Sequence, residues 1–235
     1  MFGTHSIPLS IKKEGISLLI GKEGNFFAYT RETGKEKIEK VILGEQKKIL
    51  IHPIEPLNVP KDLSAYMNIE FKRTLTIKPN SSRKIYLKFP LEIGVFLSEK
   101  KAYEIFDIFT LTQPKFTLYG DPRNGVICKY WKSDLFSSLP HLNYYYEGIM
   151  ELTLTNTSGE WQEVSKAIFN AYGMKIYYDD NMVAMKAEMK VVHQSTAETD
   201  FLDSPLKKGM NKALELYKVK KIPVTPVKFV MREGI

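Results

Sequence analysis

MELTLTNTSGEWQEVSKAIFNAYG, residues 150–173, is the stretch whose reading decides the fold. Its first half alternates strictly, with Met150, Leu152 and Leu154 on one face of an extended strand and Glu151, Thr153 and Thr155 on the other. Asn156 to Gly159 then supply turn residues. The second half is ambiguous. Trp161, Val164, Ala167, Ile168 and Ala171 fit a helical stripe, with Thr157 and Glu160 as a capping box and Gly173 as a stop. The local pattern favours helix and the flanking strands favour strand. The strand reading makes the chain all-β.

Working outward, period-two runs bounded by turn residues recur on both sides. ISLLIG (16–21) and NFFAYTR (25–31) flank a tight turn, KKILIHPIEP (47–56) ends in prolines, and PLNVPKD (56–62) reads as a linker. Ile85, Leu87 and Phe89 share one face, and MKIYYDDNMVAMKAEMKVV (174–192) forms two strands around Asp179-Asp180-Asn181. The expected architecture is an antiparallel β-sandwich, as one body or as two β subdomains. Its expected parts are an N-terminal β unit over 1–58, a main sandwich over 59–204, and a basic helix and tail over 205–235. The helix follows the pair Ser204-Pro205, with Leu206, Met210, Ala213, Leu214 and Tyr217 on one face; Gly209 weakens it.

The stretches IKPNSSRKIYLKFPLEIGVF, KFTLYGDPRNGVICKY and LTLTNTSGEW…MKIYYDD resemble an archaeal domain-of-unknown-function family, number 432. The likeness is one of pattern over most of residues 65–205. It implies an archaeal, cytoplasmic, β-rich protein and brings no assigned activity, so no catalytic or binding residue comes with it. The N-terminal arm and the basic end lie outside it.

Composition narrows the classes. Of 235 residues, 43% are apolar and 26% charged, a globular balance. No window approaches the ~20 apolar residues of a membrane span. The opening residues, with Pro8 and early charges, do not read as a signal peptide, so a cytoplasmic chain is expected. The net charge of +7 is uneven: residues 207–235 hold eight Lys/Arg against two acids, leaving +1 for everything before them. Such asymmetry points to an acidic macromolecule, protein or nucleic acid, more than to a membrane surface.

The hairpin KFTLYGDPRNGVICKYWKS (115–133) adds a second candidate surface. If Cys128 faces the core with Val126 and Tyr130, then Tyr119, Lys129 and Trp131 share the other face, a mixture on which bases stack while cations track phosphates. The same mixture also occurs where a second sheet packs. The tyrosines of PHLNYYYEG (140–148) alternate in direction and suit a groove, a subunit contact or inter-sheet packing. Asp179 or Asp180 with Glu188-x-Lys190 hints at a metal-dependent nuclease, although Asp179-Asp180-Asn181 is better explained as turn chemistry. The four histidines show no metal-ligand spacing, and phosphate-loop and nucleophile-elbow motifs are missing.

The leading expectation is a non-enzymatic binding or adaptor protein, without cofactor or metal, whose basic segment engages an acidic partner. The alternative is a nucleic-acid-binding protein, and a metal-dependent nuclease is the third class. The candidate binding residues are Tyr119, Arg123, Lys129 and Trp131 of the hairpin. From the basic end they are Lys207, Lys208, Lys212, Lys218, Lys220, Lys221, Lys228 and Arg232.

Overall fold

A computed structural model describes residues 1–34, 36–44, 48–99, 102–219 and 228–235. Strands β1 (Gly3–Ser6), β2 (Leu9–Lys13), β3 (Ile16–Glu23), β4 (Phe26–Thr33), β5 (Glu36–Leu43) and β6 (Lys48–Ile54) come first. They are followed by β7 (Tyr66–Ile77), β8 (Ser81–Pro90), β9 (Glu92–Glu99), β10 (Ala102–Phe109), β11 (Phe116–Tyr119) and β12 (Val126–Ser133). The rest are β13 (Glu147–Asn156), β14 (Gln162–Asn170), β15 (Tyr177–Tyr178), β16 (Val183–His193), β17 (Thr196–Leu202), β18 (Asn211–Lys212) and β19 (Phe229–Met231). Among the described residues, α-helix is confined to one turn, α1 (Leu216–Val219). The protein is all-β.

Four sheets result. Sheet I is the meander β2-β3-β4-β5, and sheet II runs β1-β6-β9-β10, drawing strands from both sides of residue 58. Sheet III runs β11-β12-β7-β14. Sheet IV runs β18-β15-β16-β13-β8, with β17 on β16 and β19 on β17. Sheets III and IV are mixed rather than purely antiparallel, because β12 pairs β7 in parallel and β13 pairs β16 in parallel.

Period-two alternation builds the cores. Ile85, Leu87 and Phe89, Met150, Leu152 and Leu154, and Met185, Ala187 and Met189 line one face of sheet IV. They share a buried cluster with Met67, Ile69, Ala167 and Phe169 of sheet III. A second cluster joins Leu18, Ile20 and Tyr29 of sheet I to Ile49, Ile51 and Val95 of sheet II. There Asp107 accepts from Arg31 Nε at 2.6 Å and from Tyr29 Oη at 2.7 Å, so the buried charge is paired.

The ambiguous stretch is strand β14, antiparallel to β7. Its helical look has two causes. The register slips between Val164 and Lys166, which spaces the buried Val164 and Ala167 three apart. Ile168 is buried as well, with its N–H on Met231 Sδ and its carbonyl accepting the Thr199 hydroxyl.

The helix expected from Leu206 to Tyr217 is not there. Gly209 adopts φ +93°, a left-handed backbone that ends a helix. Asn211 and Lys212 pair with the free edge of β15, and Ala213 N–H donates to Ile176 O at 2.9 Å. The apolar stripe is nonetheless buried, divided among three clusters. Leu206 and Met210 cover sheet IV beside Tyr177 and Met182, Leu214 and Leu216 cover the outer face of sheet II, and Ala213 and Tyr217 join the sheet III–IV core.

Candidate functional site

The hairpin β11–β12 does not assemble the expected aromatic and basic platform. Tyr119 pairs with Val126 and Phe116 with Lys129, so Tyr119 shares its side with Cys128 while Lys129 and Trp131 share the other. A side-chain period of two makes that register decisive. Tyr119 is 5% exposed; its hydroxyl accepts from Glu233 N–H and donates to Gly234 O, both at 3.0 Å. Lys129 is 2% exposed, its ammonium 2.9 Å from Val59 O and 3.2 Å from Glu92 Oε1. Burial lowers the Lys129 pKa and raises that of Glu92, each opposed by the other's charge. Trp131 is half-buried with its indole N–H out of solvent, and Arg123 sits exposed in the turn, where its backbone N–H donates to Asp121 Oδ1. Burial pushes the Cys128 thiol up to about 12, which suits packing rather than nucleophilic attack.

The basic end is partly neutralised within the molecule. Lys212 lies 2.7 Å from Asp203 and 3.0 Å from Glu215, and Lys228 lies 3.5 Å from Glu188. Arg232, Lys207 and Lys208 are exposed, and none of the three makes an ion pair among the described residues. The Lys218 side chain, Lys220 and Lys221 lie outside what the structure describes. Asp179 Oδ1 accepts the N–H groups of Asn181 and Met182, which is turn chemistry. Glu188 stands five residues along β16 from Val183, about 16 Å at strand rise, so the aspartates and Glu188-x-Lys190 do not converge. Glu188 instead faces Asp200 across β17, in a groove shared with Lys190, Glu198 and Lys228. Among the described residues no three His, Cys, Asp or Glu side chains form a metal-holding group.

The tyrosine stretch does form a groove. Residues 140–145 make a wall of an open cleft of about 720 Å³ that Glu14, Ile149, Asn181 and Met182 also line. Asn143 fixes the wall: its Oδ1 accepts Tyr145 N–H at 3.1 Å, its Nδ2 donates to Glu14 at 3.0 Å, and its carbonyl accepts Tyr146 N–H at 3.0 Å. The Tyr144 and Tyr145 rings lie 4.3 Å apart with their hydroxyls 2.9 Å apart. Tyr145 roots this wall in the sheet I–II core. Ile149 and Met182 belong to the same apolar cluster as Leu206 and Met210, so the turn bearing Lys207 and Lys208 packs on a cluster that also contributes to the cleft lining. Sequence reasoning missed Glu14 and Met182, because only the meander and the β15–β16 turn bring them to residue 140.

A strap, residues 213–217, is held by two buried titratable groups. Leu214 N–H donates to His52 Nδ1 at 2.8 Å, which leaves the ring proton on Nε2, 2.8 Å from the Tyr178 hydroxyl. Leu216 N–H donates to Glu55 Oε2 at 3.2 Å. Burial pulls His52 down to about 4 and lifts Glu55 to about 8.

No helix among the described residues is long and apolar enough to cross a membrane. No curated protein and no solved structure matches the chain. A family described as "Protein of unknown function (DUF432)" matches residues 1–232, which takes in the N-terminal arm and the basic end as well as the middle. With nearly its whole length matched, the chain belongs to that family.

Proposed function

We propose that the protein acts by binding, as a β-sandwich adaptor of the cytoplasm whose 140–145 cleft and adjoining basic turn receive an acidic segment of a partner protein. The observation that carries this reading is the placement of Lys207 and Lys208. Both lysines stand exposed on a turn whose flanking residues, Leu206 and Met210, are anchored on the cluster that lends Ile149 and Met182 to the cleft. Cations presented from an anchored turn beside a cleft lined by tyrosine and amide groups suit carboxylates on a short extended chain. A phosphate backbone, which needs a longer run of free cations, fits less well here, since Lys212 and Lys228 are already paired.

The test is fluorescence anisotropy of a labelled oligoglutamate peptide across a salt series. Lys207→Glu with Lys208→Glu is expected to weaken binding about tenfold or more and to flatten its salt dependence. Unchanged affinity would remove the basic turn from the reading. Labelled single-stranded DNA, duplex DNA and RNA run alongside; tighter binding of any of these through the same lysines would make the partner a nucleic acid. Charge reversal is used because ending the chain at Ser204 would strip Met210, Ala213, Leu216 and Met231 from buried positions.

A further inference from the structure

Trp161 is the most exposed aromatic side chain among the large hydrophobics, 65% open to solvent, at the turn between β13 and β14. It forms one wall of a pocket of about 280 Å³ whose other lining includes Leu75, Thr76, Lys78, Ser81 and Arg83. Two turns build this pocket and they are locked together. The fully buried Asn156 donates from one Nδ2 to Ile77 O and Lys78 O, each at 3.2 Å, and to Glu160 O at 2.8 Å. Asn80 N–H donates across to Ser158 O at 3.2 Å, and Ser158 Oγ donates to Asn156 Oδ1 at 2.8 Å. The backbone on both sides of the pocket is thus fixed while the indole stays open.

An exposed indole on a rigid mount is a stacking surface, because binding costs little ordering. Two cations line the pocket: Lys78 and Arg83 are exposed, and neither has an acidic partner among the described residues, while the exposed acids Glu160 and Glu163 flank Trp161 on its own turn and strand. Arg83 is oriented by one Nη1 hydrogen bond to Ser82 O at 2.9 Å. Ser81 and Thr76 add hydroxyls at the pocket wall. A flat π-face, two unpaired cations and hydroxyls in a space of this size match an unpaired nucleobase with its phosphate.

We propose that this pocket binds a nucleotide, the base stacked on Trp161 and the phosphate held by Arg83 and Lys78. The site is independent of the 140–145 cleft. Ile149, which lines that cleft, and Asn156 lie seven residues apart on β13, about 23 Å at strand rise.

The experiment uses the full chain and two probes, adenosine monophosphate read by titration calorimetry and a short labelled oligodeoxyadenylate read by anisotropy. Wild type is expected to bind at least one of them. Trp161→Ala should lose roughly fivefold or more, Trp161→Phe should keep most of the affinity, and Arg83→Glu with Lys78→Glu should weaken binding and lower its salt dependence. Circular dichroism of these surface variants checks that the fold is kept. Comparable binding of the free nucleotide identifies a mononucleotide pocket, whereas binding of the oligomer alone identifies single-stranded nucleic acid; both support the site. Wild-type affinity in Trp161→Ala overturns it, as does failure of wild type to bind either probe. Lys207→Glu with Lys208→Glu should leave this binding unchanged, which separates it from the fate of the cleft.

Discussion

Lys129 shows how far one residue's role depends on register. On the hairpin read as sequence it belongs to a surface platform; in the fold it is the buried partner of Glu92, 3.2 Å away, with Val59 O as second acceptor. Glu92 in turn accepts the N–H groups of Asn58 and Val59 at 2.8 and 3.2 Å. Removing the lysine alone strands a buried carboxylate. Lys129→Ala is expected to cost about 3–5 kcal/mol by urea unfolding, while Lys129→Met with Glu92→Leu should recover much of that loss. Equal losses in the single and double variants would show that the pair is not the unit that matters. A second position is set by steric contact. A Cβ on Gly148 would lie 2.3 Å from the Phe89 ring across the β8–β13 pair. Gly148→Ala should therefore destabilise by about 1–3 kcal/mol, seen as a lower urea midpoint with an unchanged slope.

At the scale of elements, the strands were the legible part. Alternation marked β8, β13 and β16 correctly, because the residues that face the sheet III–IV core recur at every second position, even where Ile149 and Ala184 on the other face are buried as well. The segments that misled break that period. In β14, buried side chains at Val164, Ala167 and Ile168 imitate a helical stripe. In 206–217, one stripe serves three clusters in succession. The strap at the end of that segment gives an element-scale prediction. His52 has an ordinary value of 6.5 and a folded value of about 4. Between these, the unfolded chain takes up a proton that the folded chain refuses. Stability contributed by His52 therefore falls as pH drops from about 6.5 to about 4, by about 3 kcal/mol in all. Glu55 runs the other way. Its carboxyl stays protonated in the fold up to about 8 but ionises near 4.5 when unfolded, so its contribution falls as pH rises through that interval. Burial is the main cause, Glu215 reinforces it and Lys175 opposes it. Melting temperature against pH should show both limbs. His52→Gln is expected to flatten the acid limb and Glu55→Gln the neutral-to-alkaline limb; identical profiles in wild type and both variants would detach the strap from these groups.

At the scale of the whole molecule, the charge asymmetry was legible and its use was not. Lys212 meets Asp203 and Lys228 meets Glu188 through the joining of β18 to β15 and of β19 to β17. Nothing local in the sequence announces either pairing. The same closure decides what the last residues do. Met231 and Ile235 are buried, Phe229 packs 5.1 Å from the Tyr66 ring and 6.2 Å from Tyr119, and Ser165 Oγ donates to Ile235 O at 3.0 Å. The segment thus covers part of sheet III and edges sheet IV at once. A free basic arm could be removed without consequence for the fold. A covering strand cannot, since each buried apolar side chain of this size contributes about 1.5–3 kcal/mol. Ending the chain after Lys228 is therefore expected to lower the unfolding midpoint markedly and to expose the Tyr119 ring. Tyr119→Phe, which removes only the hydroxyl that accepts from Glu233 N–H and donates to Gly234 O, should cost about 1 kcal/mol and leave the fold intact. Urea unfolding of the two variants side by side decides the matter. A truncated chain as stable as wild type would return residues 229–235 to the role of a free arm, and the graded loss would place them in the fold.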